Sequence, residues 1–207
     1  MARIVIIEPS RRDFTAIRRL LQAGGHQCDL HFKLGRQALN QLKASDCDLL
    51  VVTLELPDIH GMELVAMLRR NGQLEVSTPV LVCSSLDTSL NIQRAIRGGV
   101  SGFLRLDDRP ALIGRAIETV LAGGTIFPEH ARLPLGDDSR LEAALAFPTH
   151  QVAVLHGLHL GDSVSALAAL LESSGASVGQ QKRRLMRKLS ASSLDELFSI
   201  CEEIGLL

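Results

Sequence analysis

The first half of the chain alternates between short apolar runs and longer amphipathic stretches. The short runs are rich in β-branched residues, a composition and length that predict strands; they occupy 3–8, 27–32, 48–53, 79–84 and 101–106. Between them, apolar residues recur at helical spacing, as in FTAIRRLLQA, where positions 14, 17, 20 and 21 are apolar. Strands alternating with helices predict an α/β fold with a five-stranded parallel sheet, doubly wound with helices on both faces.

The pattern changes after Gly124. Residues 125–146 contain two prolines and an acidic turn without a strand signal, which predicts a linker ending in a short helix. From Phe147 onward only helical periodicity remains, over roughly 149–158, 163–171, 176–189 and 193–203. Ser193 and Glu196 have the spacing of a capping box at the start of the last helix. The predicted division is an α/β domain over 1–122, a linker over 123–146 and an all-α domain over 147–207.

Composition and charge describe an ordinary globular protein. The 207 residues carry a net charge of −1, with 46% hydrophobic and 22% charged residues. The apolar run at the amino terminus is too short for a signal peptide or a membrane span, so we expect a cytoplasmic protein without a membrane partner.

Neither a cofactor nor an enzyme activity is predicted. The four cysteines form no C-x-x-C pair, and His150, His156 and His159 have no cysteine or carboxylate in register, so we expect no metal and no other cofactor. A hydrolase is unsupported because the chain has no G-x-S-x-G motif.

The all-α domain concentrates its basic residues on one predicted helix. On that helix Val178, Leu185 and Leu189 share an apolar inward face. The outward face carries mostly Gln180, Lys182, Arg183, Arg184 and Arg187, and the fifth basic residue of the helix is Lys188. A preceding helix and a tight turn around Ser173-Ser174-Gly175 would complete a helix-turn-helix whose basic face enters a DNA groove. The alternative is a solvated charged face without a ligand.

Two segments resemble one known family. Val154 to Leu189, VLHGLHLGDSVSALAALLESSGASVGQQKRRLMRKL, resembles without a gap the second half of the LuxR-type helix-turn-helix of NarL-like response regulators. The α/β part resembles the receiver domain of that family, with LPDIHG as the loop after the third strand, followed in order by PVLVCS, GGVSGFL and AGGTIFPE. The resemblance implies a bacterial transcription factor that binds double-stranded DNA as a homodimer.

The resemblance also implies roles for the polar residues of the basic helix. Gln180 and Arg183 would face base edges, where Gln pairs with adenine and Arg with guanine through two hydrogen bonds each. The remaining polar residues would mainly contact phosphates, and they are Ser177, Lys182, Arg184, Arg187 and Lys188.

The chain departs from the receiver family where the chemistry belongs. In that family an aspartate ending the third strand accepts a phosphoryl group, two acids after the first strand hold Mg²⁺, a Ser or Thr ends the fourth strand and a lysine ends the fifth. The matching positions here are Glu8 and Pro9 for the acid pair, Thr53 for the acceptor, Ser84 for the hydroxyl and Leu106 for the lysine. Only the hydroxyl is intact, because the acid pair keeps a single carboxylate. Mg²⁺ prefers carboxylate oxygens, and phosphoryl transfer needs the cation and the lysine. We therefore predict a pseudo-receiver with a degenerate phosphorylation pocket, with a partner protein or a small-molecule ligand as possible inputs.

An interaction protein remains the alternative to a transcription factor. Gly179 stands where the family commonly has a basic residue near the start of the recognition helix, and a glycine there lowers helix propensity by roughly 1 kcal/mol. In this alternative the receiver-like domain binds a partner protein and the degenerate helix-turn-helix does not bind DNA. A conventional phospho-switch is disfavoured because Asp48 and Asp58 do not lie at the acceptor position.

Overall fold

Five parallel strands form one sheet at the centre of the amino-terminal part. The structure, a computed structural model, describes residues 2–105, 108, 110–132 and 139–207. The strands lie in the order β2-β1-β3-β4-β5, and each falls within one of the predicted runs: β1 (Arg3–Ile7), β2 (Gln27–Phe32), β3 (Leu49–Val52), β4 (Val80–Cys83) and β5 (Gly102–Leu104). The predicted α/β fold with a parallel sheet is confirmed.

Helices cover both faces of this sheet. Their bounds are α1 (Arg11–Ala23), α2 (Gly35–Gln41), α3 (Gly61–Arg70), α4 (Ser89–Arg97) and α5 (Pro110–Leu121). Successive residues of β1 point to opposite faces: Ile4 packs in one apolar cluster with α1 and α5, and Val5 packs in the other with α2, α3 and α4. The central strands β3 and β4 are buried throughout, as expected for a sheet covered on both sides.

The carboxyl-terminal part is helical, as predicted. Its helices are α6 (Ser139–Leu145), α7 (Thr149–His159), α8 (Val164–Leu170), α9 (Gly175–Lys188) and α10 (Leu194–Glu203). One apolar cluster joins all five helices, and its fully buried members include Leu155 of α7, Leu185 of α9 and Leu197 of α10. Among the described residues, no helix combines the length and the apolar character needed to cross a bilayer.

Two local details differ from the sequence prediction. The Ser193 hydroxyl accepts a hydrogen bond from the Glu196 N–H (3.1 Å), but the Glu196 carboxylate accepts from the N–H of Ser192 (2.7 Å) and not of Ser193, so the predicted capping box is half formed. In the predicted linker, Ile126 makes a parallel bridge to Gly102, and its N–H donates to Ser101 O (3.0 Å). A single bridging residue is too short to leave an alternating pattern, so no strand signal marked it.

Candidate nucleic-acid interface

A left-handed turn connects α8 to α9. Glu172 has φ of 49°, and the N–H of Ser173 donates to Ala168 O (2.8 Å), the hydrogen bond that closes a Schellman motif at a helix end. The Ser174 hydroxyl then caps α9 by accepting from the Ser177 N–H (3.1 Å). A turn was predicted around Ser173-Ser174-Gly175; in the structure α9 already begins at Gly175, and the left-handed residue of the turn is Glu172, directly after the C-cap residue Leu171.

The helix α9 separates an apolar face from a basic one. Val178, Leu185 and Leu189 are buried, which confirms the predicted inward face. Of the polar residues assigned to DNA, the exposed ones are Gln180, Arg183, Arg184, Arg187 and Lys188. The other two, Ser177 and Lys182, are half-buried. Five DNA-binding candidates are thus accessible in this arrangement of the chain.

Gly179 leaves room for a neighbouring guanidinium. A Cβ placed on Gly179 would lie 3.9 Å from Nη1 of Arg183, its nearest neighbour. The Arg183 side chain therefore folds back along the helix towards the amino end, which is the end that lies closest to the bases in helix-turn-helix proteins. The Arg183 guanidinium thus lies beside the glycine that counted against DNA binding in the sequence.

Lys188 has an additional contact that the sequence did not suggest. Its Nζ lies 5.1 Å from the centroid of the Phe147 ring, within cation–π range. Phe147 lies in the short connection between α6 and α7 and Lys188 ends α9, so no local pattern reports the contact.

The residues predicted to form a degenerate pocket lie at the carboxyl edge of the sheet. Glu8 follows β1, Thr53 follows β3 and Ser84 follows β4, and all three are buried. Adjacent parallel strands bring these three positions to the same edge. Pro9 is half-buried beside them, whereas Leu106 lies outside the described residues.

Glu8 is held in an environment that disfavours its charge. One carboxylate oxygen accepts from the Ser10 N–H (2.8 Å), and the other is buried without a hydrogen-bond partner among the described residues. Burial raises the pKa of Glu8 to about 7, with smaller contributions in the same direction from Asp13 and Glu55. Near neutral pH, Glu8 is therefore partly protonated.

A carboxylate that sequence reasoning missed lies beside this pocket. Oε2 of Glu55 accepts hydrogen bonds from the hydroxyls of Ser84 (3.1 Å) and Ser85 (2.6 Å). The Ser84 hydroxyl also accepts from the Leu86 N–H (3.1 Å). The only signal in the sequence is an acid shortly after the end of a buried strand.

Comparison with known proteins identifies the α/β part. The response regulator receiver domain matches residues 4–115, which is more than half of the chain. The chain belongs to this family.

Relatives and solved structures extend the likeness beyond the receiver domain. BvgA of Bordetella pertussis, named as a transcription regulator of virulence factors, is 27% identical over 195 residues, and the alignment covers 92% of this chain and 92% of BvgA. NarP of Escherichia coli K12, named as a nitrate/nitrite response regulator, is 26% identical over 163 residues, covering 77% of this chain and 74% of NarP.

The response regulator RcsB of Salmonella typhimurium has the same fold. One RcsB structure aligns with a TM-score of 0.73 at 19% identity and 98% coverage of both chains. Another, of RcsB bound to the promoter rprA, aligns with a TM-score of 0.68 at 19% identity and 96% coverage of both chains.

The receiver domain is bonded to the helical domain through α4. Arg94 donates from Nη1 to Ala144 O and from Nη2 to Phe147 O (2.8 Å), so its guanidinium binds carbonyls at the end of α6. Burial lowers the pKa of Arg94 to about 10, which leaves the side chain charged near neutral pH. One helical turn earlier, Asn91 Nδ2 donates to Gly205 O (3.0 Å).

A second contact joins α7 to the loop before α3. The ring of His156 hydrogen-bonds through Nε2 to Leu56 O (3.1 Å) and meets the His60 ring edge-on at 5.7 Å. Nδ1 of His60 accepts from the Met62 N–H (3.3 Å), while its Nε2 is buried without a partner among the described residues. Burial lowers the pKa of both histidines, that of His60 to about 3.

Acid is therefore expected to destabilise the folded chain through His60. Its pKa is about 3 when folded and about 6.5 when unfolded, so the neutral ring contributes stability above the unfolded value. That contribution is lost as pH falls from about 6.5 towards about 3. His60 alone should lower the free energy of unfolding by about 2 kcal/mol between about pH 7.5 and about pH 5, as measured by urea unfolding.

The control for this prediction is His60→Asn. An asparagine side chain can still accept from the Met62 N–H but does not titrate. The variant is needed because Glu8, with its raised pKa, gains stability as pH falls and opposes the effect of His60. Parallel pH profiles for wild type and variant would contradict the assignment to His60.

Proposed function

We propose that this chain is an atypical response regulator that binds DNA and regulates transcription without phosphorylation. In this proposal residues 1–122 form the pseudo-receiver, 123–146 the linker and 147–207 a LuxR-type helix-turn-helix. The observation that carries the proposal is the exposed basic face of α9, held on a helix-turn-helix by a buried apolar face. The names of BvgA and NarP as regulators agree with it, and the activity proposed is binding in the cytoplasm and not catalysis.

The proposed DNA contacts follow the geometry of α9. Gln180 is exposed in the amino-terminal half of α9, and the exposed Arg183 side chain reaches back towards Gly179; both are assigned to base edges. Arg184, Arg187 and Lys188 are exposed farther along and are assigned to phosphates. Ser177 and Lys182 are assigned to phosphates too, although both are half-buried in this arrangement.

The pocket at the sheet edge does not fit Mg²⁺ or a phosphoryl group. Mg²⁺ needs several oxygen ligands, usually including carboxylates, but Thr53 and Pro9 supply no carboxylate, and one oxygen of Glu8 is already bonded to the Ser10 N–H. The Ser84 hydroxyl donates to the chain's own Glu55 carboxylate. We therefore propose that this site accepts no phosphoryl group and that a signal other than phosphorylation controls the protein.

The purified chain is expected to gain no phosphate from acetyl phosphate or phosphoramidate with Mg²⁺. The physical reason is that the acceptor carboxylate, the pair of metal-binding acids and the lysine are altered together. Intact-mass measurement after incubation decides the matter, with a response regulator of known phosphorylation treated in parallel. A stoichiometric gain of one phosphoryl group that is labile to hydroxylamine would contradict the pseudo-receiver.

We further propose that the chain forms a homodimer that does not require phosphorylation. One small helix-turn-helix contacts too little DNA for strong specificity, so two copies are expected to bind paired half-sites. Sedimentation at micromolar concentration should show the dimer in the untreated protein. Monomer alone, both with and without DNA, would contradict this proposal.

The experiment that tests the proposed function as a whole is a map of binding sites across the genome of the source organism. Discrete sites upstream of genes are expected. An empty map would favour the second candidate, an interaction protein whose helix-turn-helix does not bind DNA. The argument for this candidate was that Gly179 replaces a basic residue near the start of the recognition helix. That argument is weaker in the structure, because the Arg183 guanidinium lies beside Gly179.

A further inference from the structure

A cleft of about 470 Å³ lies between α3 of the receiver domain and the helix-turn-helix. Its volume is in the range of sites for small molecules. The apolar part of its lining is made by Ala66 from α3, Val154 from α7, Leu171 after α8 and Val178 from α9. The polar part includes Glu63, Arg70, His150, Glu172, Ser177 and Gln181.

Glu63 is the unexplained group in this cleft. The residue is only 4% exposed, and its Oε2 has no hydrogen-bond partner among the described residues. Buried carboxylates are normally paired with a cation or with hydrogen-bond donors, because removing the charge from water is costly. Within the part of the chain that the structure describes, nothing satisfies this oxygen, although Glu63 lines an open cleft.

Arg70, the basic residue of α3 that lines the cleft, does not fill this role. It lies two turns after Glu63, which places its Cα about 10 Å farther along the axis of α3. Arg70 is exposed and lies on the rim of the cleft with the second carboxylate, Glu172. The cleft therefore has an unmatched acceptor at Glu63 and an apolar wall beside it.

We infer that this cleft binds a small aliphatic primary amine, with the ammonium group against the Glu63 carboxylate and the carbon chain against Ala66, Val154 and Leu171. An ammonium supplies both the positive charge and the hydrogen-bond donors that Glu63 lacks. A bound amine would contact α3 of the receiver domain and α7 of the helical domain together, so it would stabilise this arrangement of the two domains. The amine site does not depend on whether α9 binds DNA.

The test uses hexylammonium as the probe and the full-length chain. Titration followed by ¹H–¹⁵N NMR should give saturable shifts of the amide signals around Glu63 and Ser177 in the millimolar range. The neutral analogue 1-hexanol and the anion hexanoate should produce no saturable shifts of these signals. No saturable shift at the cleft with hexylammonium, or equal shifts with 1-hexanol, would overturn the proposal.

Two matched variants separate the carboxylate from the rest of the cleft. Glu63→Gln keeps the size of the side chain but removes its charge, and it should weaken hexylammonium binding by at least about tenfold. Arg70 lies on the rim of the cleft and carries the same positive charge as the probe. The Arg70→Ala variant should therefore bind hexylammonium with unchanged or higher affinity than wild type. Comparable unfolding temperatures without the probe show that both variants are folded. Equal affinity of Glu63→Gln and wild type would overturn the assignment of Glu63.

Discussion

Replacing Arg183 by alanine is expected to weaken binding to the preferred DNA site by about 1–3 kcal/mol, which is roughly 5- to 150-fold, and to relax sequence preference. Arg183 is exposed, and its guanidinium lies over Gly179 towards the amino end of α9. A bidentate contact to a base is lost only on the correct sequence, so the loss should be larger on the preferred site than on a scrambled one. Binding titrations on both DNAs measure the difference.

Lys188→Ala is the matched control on the same helix. Lys188 is exposed near the carboxyl end of α9, with its ammonium beside Phe147, and it is assigned to phosphate. Its removal should weaken binding to both DNAs alike and flatten the log–log salt dependence by about 1. Equal, salt-insensitive binding by wild type and both variants would mean that α9 does not read DNA.

Two glycine substitutions should change stability in opposite directions. A Cβ on Gly61 would overlap the carbonyl oxygen of Thr53 and lie 3.0 Å from its carbonyl carbon, and backbone atoms cannot move aside as a side chain can. Gly61→Ala is therefore expected to lower the free energy of unfolding by about 3 kcal/mol or more. Gly179→Ala should raise it by about 1 kcal/mol, since alanine favours the helix and the new methyl group would meet no side chain closer than the Arg183 guanidinium at 3.9 Å.

Urea unfolding of the two variants and the wild type measures both effects. Gly179→Ala should also retain binding to the preferred DNA, because the added methyl group makes only an ordinary contact with Arg183. A stable Gly61→Ala variant would show that the loop after β3 does not pack as closely on α3 as the structure has it.

Regular elements could be predicted from the sequence because their signal repeats. Each strand lies inside a predicted apolar run, and α7 to α10 match predicted helical periods within about two residues. The inward face of α9 was predicted for the same reason: Val178, Leu185 and Leu189 recur at helical spacing.

Features that depend on one residue or on distant contacts could not be predicted. Glu172 takes the left-handed conformation in the α8–α9 turn, a role usually signalled by glycine or asparagine. The hydrogen bond between His156 and Leu56 joins residues 100 positions apart. The contact of Glu55 with Ser84 likewise joins two loops that only the parallel sheet brings together.

The candidate site was predictable in composition but not in environment. The basic residues of α9 could be assigned to one face from their spacing alone. Lys182 is half-buried because it lies four residues after Val178 and three before Leu185, on the apolar side of the helix. The half-buried state of Ser177 depends on how the helix packs. The unpaired carboxylate oxygen of Glu63 is equally invisible in the sequence, because helical periodicity does not show what faces α3.

The central claim is that the unphosphorylated chain reads DNA, and one titration tests it most directly. Binding of the protein to a DNA site selected from the genome of the source organism is compared with its binding to a scrambled site. Both titrations are made before and after the protein is incubated with acetyl phosphate and Mg²⁺. The account predicts a preference of at least about 10³-fold for the selected site, with the same dissociation constant before and after incubation. No preference between the two DNAs, or a preference that appears only after the phosphodonor, would contradict it.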